Sequence, residues 1–249
     1  GICFPLSILP EGTDIQEDTD VTETMGIVKY EPPIPASLAG VAKGVFPSFI
    51  PKTDETRVQV LQDVLDKYQN EPCYVTEKLD GSSVTYYLKN GEFGVCSRNL
   101  ELLESPENSL WKVARALQIE EKLKSLNENF ALQGEIIGEG IQGNLYKLKG
   151  QTVHFFNVFD IDKYQFLDRQ DFVNTMAKLE LETVPMLETN FALTNVINAL
   201  VEKSKARSVL NPAVWREGIV IRPVTEKRDA MGRVSFKAIN PEFLLKYDS

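Results

Sequence analysis

A lysine, an aspartate and a glycine in close succession form the most informative stretch of the chain, EKLDGSS at residues 77–83. A neutral lysine amine is a nucleophile that can form a covalent intermediate. Here Lys78 stands two residues before Asp80 and just ahead of a strand-like run. The spacing KxDG is weak evidence alone, because composition gives such a match in roughly 5% of chains of this length. Its significance depends on the blocks that follow it.

Five further blocks follow this stretch in a fixed order. They are SRN at 97–99, GEIIGEGIQGN at 134–144, FNVFD at 156–160, EGIVI at 217–221 and FKAINPEFLLK at 236–246. In this order and spacing the blocks together resemble the nucleotidyltransferase motifs of polynucleotide ligases, namely motifs I, Ia, III, IV and V. These ligases are covalent lysine nucleotidyltransferases. Chance does not explain six blocks in this order.

The details resemble ATP-dependent RNA ligases, especially the nick-sealing branch in which an OB domain precedes the nucleotidyltransferase domain. The segment FPSFIPKTDETRVQ at 46–59 is among the features closest to that branch, and the resemblance covers about residues 45–247. Two positions depart from related enzymes. Many DNA ligases and capping enzymes have arginine where this chain has Ser83, and many ligases have a second lysine where Ile239 stands. No phosphate contact is therefore expected at either position.

The resemblance implies a reaction in three steps. Lys78 would attack the α-phosphorus of ATP to form lysyl-AMP, the AMP would pass to a 5′-phosphate, and a 3′-OH would displace AMP and seal the strand. The implied partner is nicked duplex nucleic acid with an RNA 3′-OH strand. Two alternatives stay open: a DNA ligase or mRNA-capping-type nucleotidyltransferase, and a non-catalytic nucleic-acid end-binding domain.

Activation of the lysine requires positive charge nearby. A free lysine has a pKa of about 10.4, so only about one in 10³ to 10⁴ is neutral at pH 7. A hydrated Mg²⁺ or Mn²⁺ would lower that pKa and neutralise the α-phosphate, and hard cations prefer carboxylates. The matching carboxylates are Asp80, Glu135 and Glu217, expected to hold the metal through its water. Taken singly, each is better explained as a solvated turn or strand-edge residue.

The resemblance also places side chains around the nucleotide phosphates and base. Lys237 is the candidate for the α-phosphate, because preplaced cations stabilise a transferring phosphoryl group. Arg98 and Arg57 are candidates for the triphosphate or the nick, although an exposed position on a helix explains Arg57 equally well. Phe156 would stack on adenine, whereas an aromatic in a β-rich run is more often core. Glu77 would contact the nucleotide.

Two asparagines are candidates for contact with the nick or with ribose hydroxyls. They are Asn99, at the end of the SRN block, and Asn144, at the end of the glycine-rich block. Both are equally consistent with ordinary turn residues. The single histidine, His154, lies in an apolar strand and is expected to be structural.

The elements that must position these residues are predicted from periodicity and turn signals. The β-rich runs include CYVTEKLDGSSVTYYL and EFGVCS, and the Asn90-Gly91 pair between them predicts a hairpin. Thr53 and Asp54 can cap a helix over 55–69, and Ser105 can cap a second one. Two more helices are predicted at 171–181 and 194–206. The segment 30–52, rich in proline, glycine and alanine, is predicted to be irregular.

These elements place the protein in the α+β class. The resemblance makes it an antiparallel β-rich, ATP-grasp-like ligase adenylation domain with flanking helices and a cleft between its sheets. Residues 1–249 are expected to form this single domain, excised from a longer chain that carries the OB domain upstream.

Composition bounds the class of protein. The chain has 249 residues, 43% of them hydrophobic and 25% charged, with a net charge of −9. Residues 201–249 hold 10 Lys+Arg against 6 Asp+Glu, so a modest basic excess lies at the end of an acidic chain. Three cysteines without a CxxC pair, and one histidine, exclude a Cys/His zinc site. No apolar run reaches the roughly 20 residues that a membrane-spanning helix needs, and an intracellular location is expected.

Overall fold

Two β-sheets face each other across a cleft in a computed structural model that describes residues 4–13, 16, 19–27, 38, 40–229 and 232–247. Within these residues, the larger sheet comprises seven antiparallel strands in the spatial order Ala42–Val45 (β1), Leu100–Leu102 (β6), Glu92–Cys96 (β5), Ser82–Lys89 (β4), Phe130–Gly138 (β7), Gln151–Asp160 (β8) and Gln165–Phe166 (β9).

The smaller sheet of the described chain comprises five strands, in the order Met186–Ala192 (β10), Pro72–Lys78 (β3), Gly218–Pro223 (β11), Phe236–Ile239 (β14) and Thr56–Arg57 (β2). The pairing is antiparallel except between β14 and β2, which run parallel. A separate hairpin joins Arg228–Asp229 (β12) to Gly232–Arg233 (β13). The predicted antiparallel β-rich α+β class is confirmed.

Helices cover the outer face of each sheet. In the described residues they are Gln62–Lys67 (α1), Ser109–Ala116 (α2), Ile119–Leu126 (α3), Arg169–Leu179 (α4), Ile197–Ser204 (α5) and Pro241–Tyr247 (α6). Side chains from α2, α3 and α4 form one core with alternate residues of β4, β7 and β8. Side chains from α1 and α5 form a second core with β3, β11 and β14. Successive strand residues point to opposite faces, and the other face of the larger sheet borders both the cleft and a third core, in which Tyr87, Ala131 and Phe159 pack with Phe46 and Ile50.

The chain crosses directly from one sheet to the other within the EKLDGSS stretch. Lys78 is the last residue of β3, and Ser82 is the first residue of β4. The three residues between them, Leu79 to Gly81, are named the inter-sheet link. Lys78 is therefore fixed at the junction of the two sheets.

Some local predictions are confirmed and others are wrong. Asn90 and Gly91 have φ values of 52° and 82° between β4 and β5, as a two-residue hairpin turn requires. No helix spans 55–69, because Thr56 and Arg57 pair with β14 and α1 begins only at Gln62. The helix after Ser105 is capped instead by Asn108, whose side chain accepts from two backbone amides of α2.

The prediction that the segment 30–52 is irregular is partly wrong. It contains β1, which pairs with β6 at the edge of the larger sheet. Residues 30–37 and 39 lie outside the described part of the chain.

None of the described helices is long and apolar enough to cross a membrane.

Candidate active site

A cavity of about 730 Å³ lies between the inner faces of the two sheets. This volume is within the roughly 300–1,000 Å³ typical of small-molecule sites. Most of the residues predicted from the sequence line it: Glu77, Lys78, Asp80, Arg98, Asn99, Glu135, Phe156, Glu217 and Lys237. The structure thus brings together side chains that are up to 160 positions apart in the sequence.

Lys78 and Glu217 form an ion pair at the centre of this arrangement. Strand β11 pairs antiparallel with β3 so that Gly218 stands opposite Lys78, which brings the preceding residue, Glu217, to the lysine. The distance from Lys78 Nζ to Glu217 Oε2 is 2.6 Å, and both side chains are less than a quarter exposed. The amine is therefore held in one orientation toward the cavity.

Position 81 of the inter-sheet link has no room for a side chain, so it requires a glycine. A Cβ atom at this position would lie 2.4 Å from Ile136 O and 2.9 Å from Glu135 Cγ. The first of these neighbours is backbone of β7, which cannot move without disrupting the sheet. Absence of a side chain therefore lets the link approach β7 and brings Asp80 near Glu135.

Glu135 lies on the cleft side of β7, opposite Ser83 of β4. The pKa of Glu135 is raised from the ordinary value of 4.5 to about 8, mainly by burial and also by the negative charges of Glu217 and Asp80. The charge of Lys78 acts in the opposite direction. The three carboxylates are thus close enough to interact electrostatically, as a site for a divalent cation requires.

No three acidic, cysteine or histidine side chains of the described residues converge closely enough to form a direct metal site. The carboxylates of Asp80, Glu135 and Glu217 line the same cavity, and their role in holding a metal ion through its water molecules stays a prediction. Oxygen donors alone also suit a hard cation such as Mg²⁺ or Mn²⁺.

Lys237 and Arg57 lie side by side at the edge of the smaller sheet. Lys237 is paired with Val220 of β11 on one side and with Arg57 of β2 on the other. Burial lowers the pKa of Lys237, and the neighbouring charges of Lys78 and Arg57 lower it further, against the opposing effect of Glu217. Arg57 is exposed and is not among the residues that line the cavity. The helix proposed as its alternative setting is absent from this described segment.

Residues 51–55, named the 51–55 segment, connect both sheets at the cavity mouth. Lys52 Nζ donates to Asn99 Oδ1 at 2.9 Å, and Asp54 Oδ1 accepts from Arg98 at 2.5 Å. The Thr53 hydroxyl lies 2.5 Å from the Ser83 hydroxyl. Arg98 is 65% exposed, so this ion pair is weak and can be exchanged for a phosphate.

Glu55 completes the segment with a buried ion pair. Its Oε1 accepts from Arg222 at 2.8 Å, and Arg222 is only 2% exposed. Arg222 also donates to Ser235 Oγ and to the backbone oxygen of Phe156. Arg222 was not among the residues predicted from the sequence, although an arginine inside the apolar run GIVIRP indicates a buried charge that needs partners.

Phe156 and Glu77 also line the cavity. Phe156 is half-buried and lines the cavity, whereas its neighbour Phe155 is fully buried in the core of the larger sheet. Glu77 is 1% exposed, and its Oε2 accepts from the Val209 amide at 2.8 Å. Its Oε1 has no hydrogen-bond partner among the described residues. A buried carboxylate oxygen of this kind can accept a hydrogen bond from a ligand.

Comparison with known proteins identifies the family of the chain. The family described as RNA ligase matches residues 71–239, which is more than half of the sequence. The structure of a Naegleria gruberi RNA ligase variant with ATP and Mn is 42% identical, with a TM-score of 0.79 over 92% of this chain and 68% of that one. The chain belongs to the RNA ligase family.

Two further structures of the Naegleria gruberi RNA ligase agree. One, a variant with AMP and Mn, is 42% identical with a TM-score of 0.79, and covers 92% of this chain and 68% of that one. Another, with PPi, is 42% identical with a TM-score of 0.78 over 92% of this chain and 67% of that one. A search of curated proteins finds no match. The predicted RNA ligase enzyme and its nucleotidyltransferase fold are confirmed.

The side chains of Asn144 and His154 in this RNA ligase form hydrogen bonds with backbone atoms. Asn144 lies in a turn where its Nδ2 donates to Leu148 O and its Oδ1 accepts from Leu148 N. It is not among the residues that line the cavity, so its contact with nucleic acid stays a prediction. His154 lies on β8, and its Nδ1 is 3.1 Å from Thr183 O, in agreement with a structural histidine.

Replacing Glu135 of the RNA ligase with glutamine should change how stability depends on pH. The folded state binds the Glu135 proton more tightly than the unfolded chain does. The contribution of this proton to the free energy of unfolding is therefore fully present below about pH 4.5 and is lost as the pH rises toward 8. The Glu135→Gln variant cannot ionise there and should lose less stability over that window. Urea unfolding of the metal-free proteins from pH 5 to 8.5 measures the difference.

The matched control for this comparison is Glu139→Gln, which changes an exposed glutamate after the same strand. Its stability should follow the wild-type dependence on pH. Parallel curves for wild type and Glu135→Gln would show that Glu135 is not protonated more readily in the folded state.

Proposed function

We propose that this RNA ligase uses ATP and a divalent metal, Mg²⁺ or Mn²⁺, to form lysyl-AMP at Lys78. The observation that carries the proposal is the ion pair of Lys78 with Glu217, 2.6 Å long and set within a cavity between two sheets. The solved Naegleria gruberi enzymes, which carry ATP and Mn or AMP and Mn, support the choice of nucleotide and metal.

The first step forms a bond between Lys78 Nζ and the α-phosphorus of ATP. The bond from that phosphorus to the bridging oxygen breaks, and pyrophosphate leaves with its electron pair. Nζ must lose a proton to become nucleophilic, and Glu217 Oε2 is in hydrogen-bond contact to accept it. When bound, the metal would neutralise phosphate charge, and Asp80, Glu135 and Glu217 would hold its water.

Positive charge for the phosphates of ATP and of the nucleic acid would come from Lys237, Arg57 and Arg98. Lys237 lines the cavity on the strand next to β11 and is the proposed contact for the α-phosphate. Arg57 is the neighbour of Lys237 in register on β2 and follows the 51–55 segment, and it is the proposed contact for the leaving pyrophosphate. Arg98 is held by Asp54 at the mouth, where a 5′-phosphate or the outer phosphates of ATP can displace the aspartate.

The base recognition proposed for Glu77 can be tested by replacing it with glutamine. Glu77 Oε1 would accept from the exocyclic amino group of adenine, while Oε2 stays with the Val209 amide. In Glu77→Gln the amide oxygen is needed by Val209, so the NH₂ group would face the base. It would repel the adenine amino group and suit the guanine oxygen, so the KM for ATP should rise about tenfold or more while GTP use improves.

Measuring lysyl-AMP and lysyl-GMP formation against nucleotide concentration checks this result. Glu188→Gln, which lies on β10 and is paired with Lys203 outside the cavity, is the control and should retain the wild-type preference. An unchanged ratio of ATP to GTP use in Glu77→Gln would contradict the proposed recognition.

The second and third steps would transfer AMP to a 5′-phosphate and seal a nick in a duplex whose 3′-OH strand is RNA. Membership in the RNA ligase family supports a nucleic-acid substrate, and Asn99, which lines the cavity beside Arg98, is the proposed contact for a ribose hydroxyl. A 2′-OH is the group by which a protein distinguishes RNA from DNA.

The experiment compares four nicked duplexes that differ only in whether RNA or DNA stands on each side of the nick. Sealing should be fastest where the 3′-OH strand is RNA, and Asn99→Ala should reduce that preference. Equal sealing rates on all four duplexes would contradict recognition of the RNA 3′-OH strand.

A further inference from the structure

Tyr146 lies beside the inter-sheet link although it does not line the cavity. It follows the glycine-rich block in the loop after β7 and is only 6% exposed. Its ring packs in a small core with Leu79, Ile137 and Val184. Because the ring is enclosed on these sides, the position of its hydroxyl is fixed.

The hydroxyl of Tyr146 binds the middle of the inter-sheet link. Its Oη accepts a hydrogen bond from the Asp80 backbone amide at 2.7 Å. Asp80 is two residues after Lys78, and the link has only three residues. Displacement of the Asp80 amide therefore changes the direction in which Lys78 leaves β3.

The loop that carries Tyr146 is itself held on two sides. The two amide atoms of Asn144 bind the backbone of Leu148 and close the turn around Tyr146. Asn211 Nδ2 donates to Leu145 O at 2.9 Å and ties the loop to the chain ahead of β11. The hydroxyl is therefore presented by a rigid support, as a residue that orients a reacting group must be.

We propose that Tyr146 is a positioning residue, whose hydroxyl fixes the Asp80 amide and thereby aims Lys78 at the α-phosphorus. The proposal rests on the function proposed for Lys78. Burial raises the pKa of Tyr146, and the negative charges of Glu77, Asp80 and Glu217 act in the same direction. The hydroxyl stays neutral and acts as a fixed dipole, not as an acid or base.

The test is Tyr146→Phe, which keeps the ring in its core and removes only the hydroxyl. The rate of lysyl-AMP formation at saturating ATP should fall about tenfold, because one oriented hydrogen bond is lost. The KM for ATP should change less than about twofold, and the final amount of AMP bound per protein should equal that of wild type. A protein that was merely destabilised would show a lower final amount at an unaltered rate.

The matched control is Tyr87→Phe. Tyr87 is 5% exposed and its hydroxyl donates to Glu101 at 2.7 Å, away from the cavity. It should form lysyl-AMP at the wild-type rate. Asn211→Ala, which frees the Tyr146 loop without altering the tyrosine, should give a smaller reduction, about threefold.

Sealing of a strand that already carries a 5′-adenylate separates positioning from general loss of activity. Lys78 forms no bond in that step, so Tyr146→Phe should seal this strand at nearly the wild-type rate. Equal rates of lysyl-AMP formation in Tyr146→Phe and wild type would overturn the proposal, as would an equal loss in both steps. Failure of the proposed function is a different result: wild type would then gain no AMP at Lys78.

Discussion

Replacing Lys78 with alanine is expected to lower the formation of covalent enzyme-AMP by at least about three orders of magnitude. The lysine supplies the nucleophile, and among the described residues it is the lysine held within 2.6 Å of a cavity carboxylate. Its side chain is 23% exposed and does not belong to a hydrophobic core, so the fold should be retained. Mass spectrometry of wild type with ATP and metal should find one added AMP on Lys78.

The control for this variant is Lys89→Ala. Lys89 ends β4 as Lys78 ends β3, but its amine lies over the Phe49 ring, outside the cavity. It should form enzyme-AMP at the wild-type rate. An AMP group on another lysine of wild type, or normal adduct formation in Lys78→Ala, would contradict the assignment of the nucleophile.

Alanine at Asp80, Glu135 or Glu217 is expected to slow adenylylation about 10- to 100-fold and to raise the metal concentration needed for half-maximal rate. The proposed role of each carboxylate is to support the water shell of the metal. Loss of Glu217 also leaves the Lys78 amine without its partner, so this variant should be the slowest of the three. The rate of enzyme-AMP formation across a Mn²⁺ titration measures both effects.

Glu139→Ala is the matched control, since this glutamate is exposed and does not line the cavity. Its metal dependence should be that of wild type. If all three carboxylate variants showed wild-type rates across the titration, these residues would be solvated carboxylates with no role in binding metal.

The identity of the site residues could be predicted because they lie in short blocks with a fixed order. Lys78, Glu135, Glu217 and Lys237 all line one cavity, as the resemblance to polynucleotide ligases implies. The ion pair of Lys78 and Glu217 could not be predicted, because it depends on the register between strands that are far apart in the sequence. Register is set by the hydrophobic faces of both strands together and is not encoded by either alone.

The helix predicted over 55–69 shows where local pattern is insufficient. Val58, Leu61 and Leu65 do have helical spacing, and all three are buried in the core of the smaller sheet. Thr56 and Arg57 nevertheless pair with β14, so these residues form a strand where the first turn of a helix was predicted. A tertiary contact here outweighs the propensity of a short helix, which is marginal by itself.

Tyr146 and Arg222 were missed for a different reason. Neither residue type signals chemistry by spacing, and both act through backbone atoms or a second side chain. Arg222 offered one signal, a charged residue among apolar strand neighbours, whereas Tyr146 offered none in the sequence. Residues that support a site are recognised only when the partner they hold is known.

The inter-sheet link determines how a nucleotide can enter and leave. Three residues span at most about 11 Å when fully extended, and Gly81 is in contact with β7, so the chain has little slack with which to part the sheets. Separation of the two sheets would stretch this link, because it joins the end of β3 in one sheet to the start of β4 in the other. We therefore expect ATP, pyrophosphate and AMP to pass through the cavity mouth that Arg98 and the 51–55 segment border, so that the contacts at this mouth influence the rate of product release.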